Sequence, residues 1–352
     1  MNAIDLFCGC GGASLGLKMA EFKIAGAVDN DQVACDTYLQ NIGLKPICAD
    51  LRFLNGQQIL DHYNLRKGDV DLIVGCPPCQ GFSSLRRTRY SSETDPRKSL
   101  VTVFLKRISE IQPRAVVFEN VTGLARKGGL RYYLHPFIHK MEKMGYKSNW
   151  DIVNAADYGV AQFRKRVFAL FVKDKKPVMM PQTHYNPEDR NASKVWKTVL
   201  DEIGNLPVLS SGENCASILN HRARTHSDKV LETIKHIPKD GGSRKSLPEE
   251  LWLPCHKKLR DSKEGGAESI YGRMTWGKPA PTITCRCTTP SSGRFIHPEQ
   301  DRAITPREAA RLQSFPDTFA FPDEFSSAER LIGNAVPAEL LRIQVQSFEN
   351  AL

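Results

Sequence analysis

The segment Gly75-Cys76-Pro77-Pro78-Cys79-Gln80-Gly81-Phe82-Ser83-Ser84 follows a short apolar run, Val70-Asp71-Leu72-Ile73-Val74. Its thiols are the strongest nucleophiles the chain offers, since a thiolate can add to an electrophilic carbon and later leave. A second apolar run, Ala115-Val116-Val117-Phe118, ends in Glu119-Asn120-Val121. If both runs are strands of an α/β sheet, Cys79 and Glu119 lie at carboxyl ends, where such sheets hold their chemistry. A thiol beside a carboxyl suits a nucleophile assisted by an acid. Cys76-x-x-Cys79 also spells a redox or zinc pair. A second pair at zinc spacing is missing, because Cys285-Arg286-Cys287 is too close-set and no histidine accompanies it, so no metal is expected. Arg164 and Arg166 stand two apart, a spacing that puts both on one face of a strand.

Asp5-Leu6-Phe7-Cys8-Gly9-Cys10-Gly11-Gly12 joins the first apolar run to the first helical pattern. Glycines at such a turn let the backbone approach a ligand, and the following helix offers free N–H groups. Asp29 ends the second strand, where a carboxylate can bind ribose hydroxyls. Taken alone, these glycines fit a nicotinamide enzyme or a ligand-free tight turn equally, and Ser14 stands where a third glycine would be. Cys8, Cys10 and Cys76 read as small residues packed nearby.

The elements that must position these residues alternate. Strands are expected at 2–7, 24–28, 46–49, 70–74, 115–118 and 167–172, with helices at 14–22 and 31–41. This alternation predicts an α/β fold with a parallel sheet covered on both faces. From residue 173 to 303 the chain is rich in Pro, Gly, Ser, Lys and His and weakly periodic, which reads as a second, smaller, irregular domain. Order returns at Thr305-Pro306-Arg307-Glu308, a capping box with proline at the first helical position. A last helix is expected from Pro337, and this returning part should pack on the first domain.

The chain has 352 residues, 41% of them hydrophobic, enough for one large and one smaller core. No apolar run approaches the ~20 residues of a membrane span, and the start lacks a signal-peptide pattern. Ten cysteines without a secretion signal point to free thiols in a reducing cytoplasm. A net charge of +10 fits either a polyanionic partner or a lysine-rich soluble enzyme.

Together, Phe7-x-Gly9-x-Gly11-Gly12, Pro77-Pro78-Cys79-Gln80, Glu119-Asn120-Val121, Gln162-Phe163-Arg164-Lys165-Arg166, the run from Arg307 to Pro316, and Gly333-Asn334-Ala335-Val336-Pro337 resemble, in order, the DNA (cytosine-5) methyltransferases of prokaryotic restriction-modification type. The likeness covers about the first 172 and last 50 residues. It implies a Rossmann-like S-adenosylmethionine-dependent sheet, residues 1–172 plus 304–352, with 173–303 as the target-recognition domain.

The resemblance also implies roles. Cys79 would add to cytosine C6, Glu119 would contact N3 and the exocyclic amine, Arg164 would hold O2, and Arg166 would order Glu119 or the cysteine loop. Phe7, Gly9, Cys10, Gly11, Gly12, Asp29, Asn30, Asp50, Leu51, Pro78, Leu100, Asn334 and Ala335 would line the S-adenosyl-L-methionine site. Asp29-Asn30 departs from the family, which has Glu and then a bulky residue there. The basic stretch after Cys79, with Ser83, Arg86, Arg87 and Arg89, would close over double-stranded DNA, and Thr282 would meet the target phosphate. A cytosine in a duplex must be extruded to be reached. A cognate restriction endonuclease would share the site without being a stable subunit, and the enzyme would act as a monomer. The alternatives on the same resemblance are a tRNA cytosine-5 methyltransferase, whose Cys-Phe-Thr signature is missing here, and a catalytically inactive DNA-binding relative.

Overall fold

The computed structural model describes residues 1–78, 99–189, 193–252 and 269–348. Cys79, Gln80, Ser83, Arg86, Arg87 and Arg89 therefore lie outside the described residues, as do Lys257, Lys258 and Arg260 of the second domain. The chain forms two compact units: 1–158 with 165–183 and 336–352, and 159–164 with 184–335.

The first unit is built on a seven-stranded sheet. In chain order its elements are β1 (Asn2–Leu6), α1 (Gly12–Met19), β2 (Lys23–Asp29), α2 (Gln32–Ile42), β3 (Ile47–Cys48), α3 (Gly56–His62), β4 (Leu72–Gly75), α4 (Ser99–Ile111) and β5 (Ala115–Val121). There follow a short α5 (Lys127–Gly129), a π-turn (Leu130–Leu134), α6 (His135–Lys143), β6 (Tyr146–Asn154) and β7 (Lys165–Lys173). The strand order is β3-β2-β1-β4-β5-β7-β6. The five strands from β3 to β5 are parallel, whereas β7 runs antiparallel to both β5 and β6. The purely parallel sheet expected from the alternation is therefore mixed. No helical crossover separates β6 from β7, so the chain turns back and pairs antiparallel.

Strand alternation sends Ile4, Leu6, Val116 and Phe118 to one face, where they join Phe104, Phe137 and Phe171 in the main core. The rings of Phe118 and Phe137 lie 4.8 Å apart, and those of Phe137 and Phe171 5.5 Å. Each such ring contributes roughly 2–3 kcal/mol of burial. Gly75 is required by this packing, because a Cβ there would sit 2.1 Å from Phe104. On the opposite face α1 packs against the last helix, Ala338–Val345, and Gly16 lets the two backbones touch: its Cβ would lie 2.4 Å from the Ala338 carbonyl.

The second unit has little regular structure: α7 (Val199–Ile203), α8 (Asp228–Lys235), α9 (Pro306–Leu312) and α10 (Phe325–Asn334) among turns and isolated bridges. Backbone carbonyls without a ladder still need donors, and here buried arginines supply them. Arg273 donates to the carbonyls of Ile234, Ile237, His297 and Gln300. Arg307 donates to those of Leu219, Pro316 and Phe319. The capping box on α9 forms as its sequence predicts. Thr305 accepts from the Glu308 N–H, and Glu308 accepts from the Thr305 N–H at 2.7 Å. Contrary to the expectation that the whole returning segment packs on the first domain, α9 and α10 group with the second unit, and only residues from 336 onward rejoin the first. Among the described residues no helix is long and apolar enough to cross a membrane.

Candidate active site

Sheet register assembles one row of chemistry. Val28 and Gly75 both pair with Leu6, and Phe118 pairs with Gly75. The next residues along these four strands are Asp29, Phe7, Cys76 and Glu119, at the carboxyl edge of the parallel strands. With strands about 4.8 Å apart, the row from Asp29 to Glu119 spans about 15 Å.

At one end, the loop after β1 turns sharply. Phe7 has φ 68°, Gly9 52° and Gly11 102°. A left-handed phenylalanine costs energy that glycine would not, and such strain gathers at ligand sites. Both Phe7 N–H and Cys8 N–H donate to the Val28 carbonyl, which holds the loop across β2. Asp29 accepts from the Gly9 N–H at 2.8 Å and from the Asp31 N–H at 3.0 Å. Burial raises its pKa above the ordinary carboxylate value despite these bonds. Gly9 has open space where a Cβ would stand, whereas a Cβ on Gly11 would meet Ile42 at 2.8 Å. Cys8 and Cys10 are buried, and burial pushes both thiols up, Cys10 to about 12, in keeping with small packed residues.

Beneath this loop lies a group the sequence reading overlooked. Asp5 is fully buried, accepts from Ser14 Oγ at 2.7 Å, and has its other oxygen, Oδ1, unpartnered among the described residues. Ser14 Oγ also bonds Tyr38 Oη at 2.7 Å. Burial lifts the Asp5 carboxyl to about 7. The available signal was a carboxylate inside an otherwise apolar strand. Ser14, at the position of the third glycine, is thus the hinge pin between β1, α1 and α2.

Asp50 and Leu51 follow β3. Leu51 is buried, and Asp50 caps the short turn Leu51–Phe53 while binding the Arg52 guanidinium through both carboxylate oxygens, which lowers its pKa. Asn30 is exposed, and Leu100 is half-buried at the start of α4.

At the other end of the row stands Glu119, 7% exposed. Arg166 Nε lies 3.1 Å from its Oε1. Asn120 reaches from the same strand to the loop before Cys79, donating Nδ2–H to the Pro77 carbonyl at 3.3 Å. Its Oδ1 accepts the Val121 N–H. Glu-Asn-Val is therefore a carboxyl, a loop anchor and a strand end in sequence.

The two arginines separate. Arg166 belongs to β7 in the first unit, whereas Arg164 precedes that strand and belongs to the second. They do not share a strand face as their spacing suggested, because β7 begins only at Lys165. Arg164 is 2% exposed and donates to the carbonyls of Ile283, Gly333 and Ala335 at 3.0–3.1 Å. In that unit Thr282 Oγ1 donates to the Phe163 carbonyl, and the exposed Asn334 accepts from the Cys285 thiol. Ala335 is half-buried. Among the described residues no cluster of His, Cys, Asp or Glu could hold a metal ion.

The family model for C-5 cytosine-specific DNA methylases matches residues 1–349. The chain is 37% identical over 354 aligned positions to the Type II methylase M.HgiDII of Herpetosiphon aurantiacus, covering 99% of this chain and 95% of that protein. It is likewise 37% identical over 340 positions to the Type II methyltransferase M1.HphI of Haemophilus parahaemolyticus, covering 96% and 83%. A crystal structure assigned to a prophage-encoded DNA modification methyltransferase of E. coli aligns with TM-score 0.75 and 25% identity, covering 100% of this chain and 99% of that one. The S. pombe Dnmt2 methyltransferase shares the fold, with TM-score 0.63 at 16% identity, covering 99% and 98%.

Proposed function

The chain belongs to the C-5 cytosine-specific DNA methylase family, and from that premise we propose that it transfers a methyl group from S-adenosyl-L-methionine to C5 of a cytosine extruded from a specific duplex DNA sequence, as the methylating partner of a restriction system. The observation that carries this reading is the Glu119–Arg166 pair at the carboxyl edge, beside the Pro77 loop that Asn120 anchors.

The first-unit loop fits a cationic cofactor. Asp29 and Asp5 are buried carboxyls whose ionisation is resisted, and a ligand carrying ammonium and sulfonium charges would offset that cost. In this reading Asp29 binds the ribose, and Phe7, Asn30, Asp50, Leu51 and Leu100 meet the adenine end. Gly9, Cys10, Gly11, Gly12 and Pro78 line the methionine end. Bound there, S-adenosylmethionine supplies an electrophilic methyl group.

Cytosine C5 is a poor nucleophile, so the protein must first raise its electron density. The Cys79 thiolate adds to C6 and forms the C6–S bond, while Glu119 holds a proton at N3. The ring becomes an enamine whose C5 can attack. Arg166, charged and next to Glu119, meets the base O2, where negative charge accumulates. Arg164 serves as a brace, because its hydrogen bonds to three carbonyls fix the segments around Ile283 and Ala335. This assignment moves the O2 contact from Arg164, where the resemblance had put it, to Arg166. After methylation the C5 proton leaves to water and the C6–S bond breaks, restoring the aromatic base and Cys79. Ser83, Arg86, Arg87 and Arg89 close over the DNA backbone, and Thr282 meets the target phosphate. Residues 173–303, of which 184–303 lie in the second unit, read the bases, and 1–172 with 304–352 carry out the chemistry.

Labelled methyl transfer to duplex DNA, with a tRNA pool in parallel, tests the substrate. Label at cytosine C5 of DNA is expected. Label in tRNA alone would keep the fold and overturn the substrate. DNA carrying 5-fluorocytosine should trap the Cys79 adduct, because fluorine cannot leave C5 as a cation; an active enzyme that leaves no adduct after denaturation would refute the covalent route.

A further inference from the structure

The chain between Glu119 and Glu142 contains no acidic residue, yet holds Arg126, Lys127, Arg131, His135, His139 and Lys140. Most of it folds as one helical stretch, α5, the π-turn and α6, entered through the turn Thr122–Ala125. That turn begins where Val121 pairs with Arg166, so the stretch leaves the sheet at the carboxyl edge, immediately after the Glu119–Arg166 pair. The π-turn Leu130–Leu134 widens the helix there, a departure that often marks function.

Arg126, Arg131 and Tyr132 are among the side chains of this stretch that face water. Arg126 and Arg131 are exposed, and neither forms an ion pair among the described residues. Tyr132 is 64% exposed, and the Arg131 guanidinium lies 5.4 Å from its ring centroid. Stacking occupies the flat face of a guanidinium and leaves its N–H edges for an anion. Two unpaired guanidiniums and an exposed tyrosine have no role in the core, but they match the repeating phosphates of a nucleic acid backbone.

We propose that Arg126, Arg131 and Tyr132 form a backbone-contacting ledge that holds the DNA against the Glu119 end of the site. The proposal rests on the reading of DNA as substrate and adds a positioning surface separate from the segment after Cys79. Because phosphate contacts carry no base information, the ledge sets affinity and salt sensitivity, not sequence preference.

The test is binding of the full chain to a fluorescent duplex across a salt series, with Arg126→Ala, Arg131→Ala, Tyr132→Ala and the double arginine variant. Arg66→Ala and Lys67→Ala serve as charge controls, since both precede β4 and lie at the opposite, amino edge of the sheet. Each ledge arginine removed should flatten the plot of log affinity against log salt by about 0.9, with S-adenosylmethionine binding and thermal midpoint unchanged. The controls should leave the slope intact, and Tyr132→Ala should weaken binding several-fold. Slopes that match wild type in the double variant, or that fall equally in the controls, overturn the ledge while DNA methylation by the wild type keeps the substrate reading. Failure of the wild type to bind or methylate duplex DNA overturns both.

Discussion

Arg166 stands opposite Val121 across the antiparallel pair β5–β7, and its Nε reaches one residue pair along the same face to the Glu119 carboxylate, 3.1 Å away. The antiparallel turn-back of β7 creates this contact. A parallel strand in its place would run the other way and carry residue 166 to the far edge of the sheet. Removing the carboxyl function tests its role. Glu119→Gln should lower kcat by about 10²–10⁴-fold and leave cofactor affinity unchanged, measured by single-turnover methyl transfer beside calorimetric binding.

The two arginines of the Gln-x-Arg-x-Arg motif should fail in different ways. Arg166→Ala should reduce kcat/KM with little change in Tm. Arg164→Ala leaves the Ile283, Gly333 and Ala335 carbonyls without their donor and should cost about 3 kcal/mol of stability. Paired melting curves and turnover measurements separate the roles; equal loss of Tm in both variants would remove the distinction.

Asp5 should make stability fall with rising pH. Its folded pKa of about 7 lies above the ordinary 3.8, so between these values the folded protein holds a proton that the unfolded chain has released. Its contribution is therefore most favourable below about pH 4 and declines until pH passes 7. The shift corresponds to about 4 kcal/mol. Asp5→Asn should flatten this slope in denaturant titrations between pH 4 and 8.

Glu308 should act in the opposite sense. Arg302 lies 2.7 Å away and holds its carboxyl down at about 2, against an ordinary 4.5, despite complete burial. Stability from this pair is full above pH 4.5 and is lost as pH falls towards 2. Glu308→Gln leaves Arg302 buried without its counter-charge and should cost about 3–5 kcal/mol, read from the shift in unfolding midpoint at pH 7.

Asn120→Ala should release the Pro77 loop. The change removes the hydrogen bond to the Pro77 carbonyl and the local one from the Val121 N–H, so folding should be nearly intact while turnover falls about tenfold through misplacement of Cys79. A variant with normal turnover would show that the anchor is dispensable.

Much of the sheet was legible because its strands are short apolar runs. Val116, Val117 and Phe118 have nowhere to go but a core, and glycine at positions 9 and 11 announces a turn that other residues resist. The strand β6 escaped notice: Tyr146-Lys147-Ser148-Asn149-Trp150-Asp151 lies at a sheet edge and needs no apolar face of its own. The second unit was legible only as irregular, since its order comes from Arg273, Arg302 and Arg307 bonding to distant carbonyls, and no local pattern records such partners.

By itself, the sequence determined which chemistry is present: a thiol after Pro78, a carboxyl at Glu119, a glycine loop before α1 and a basic surface. These are covalent facts, carried by residue type and order. Only the tertiary structure decided which groups meet. It gave Arg166 to Glu119 and Arg164 to the backbone, and it buried Asp5 beneath the loop with one oxygen unpartnered among the described residues. The physical reason is that side-chain roles are set by strand direction and burial, both of which depend on pairing between segments far apart in the chain.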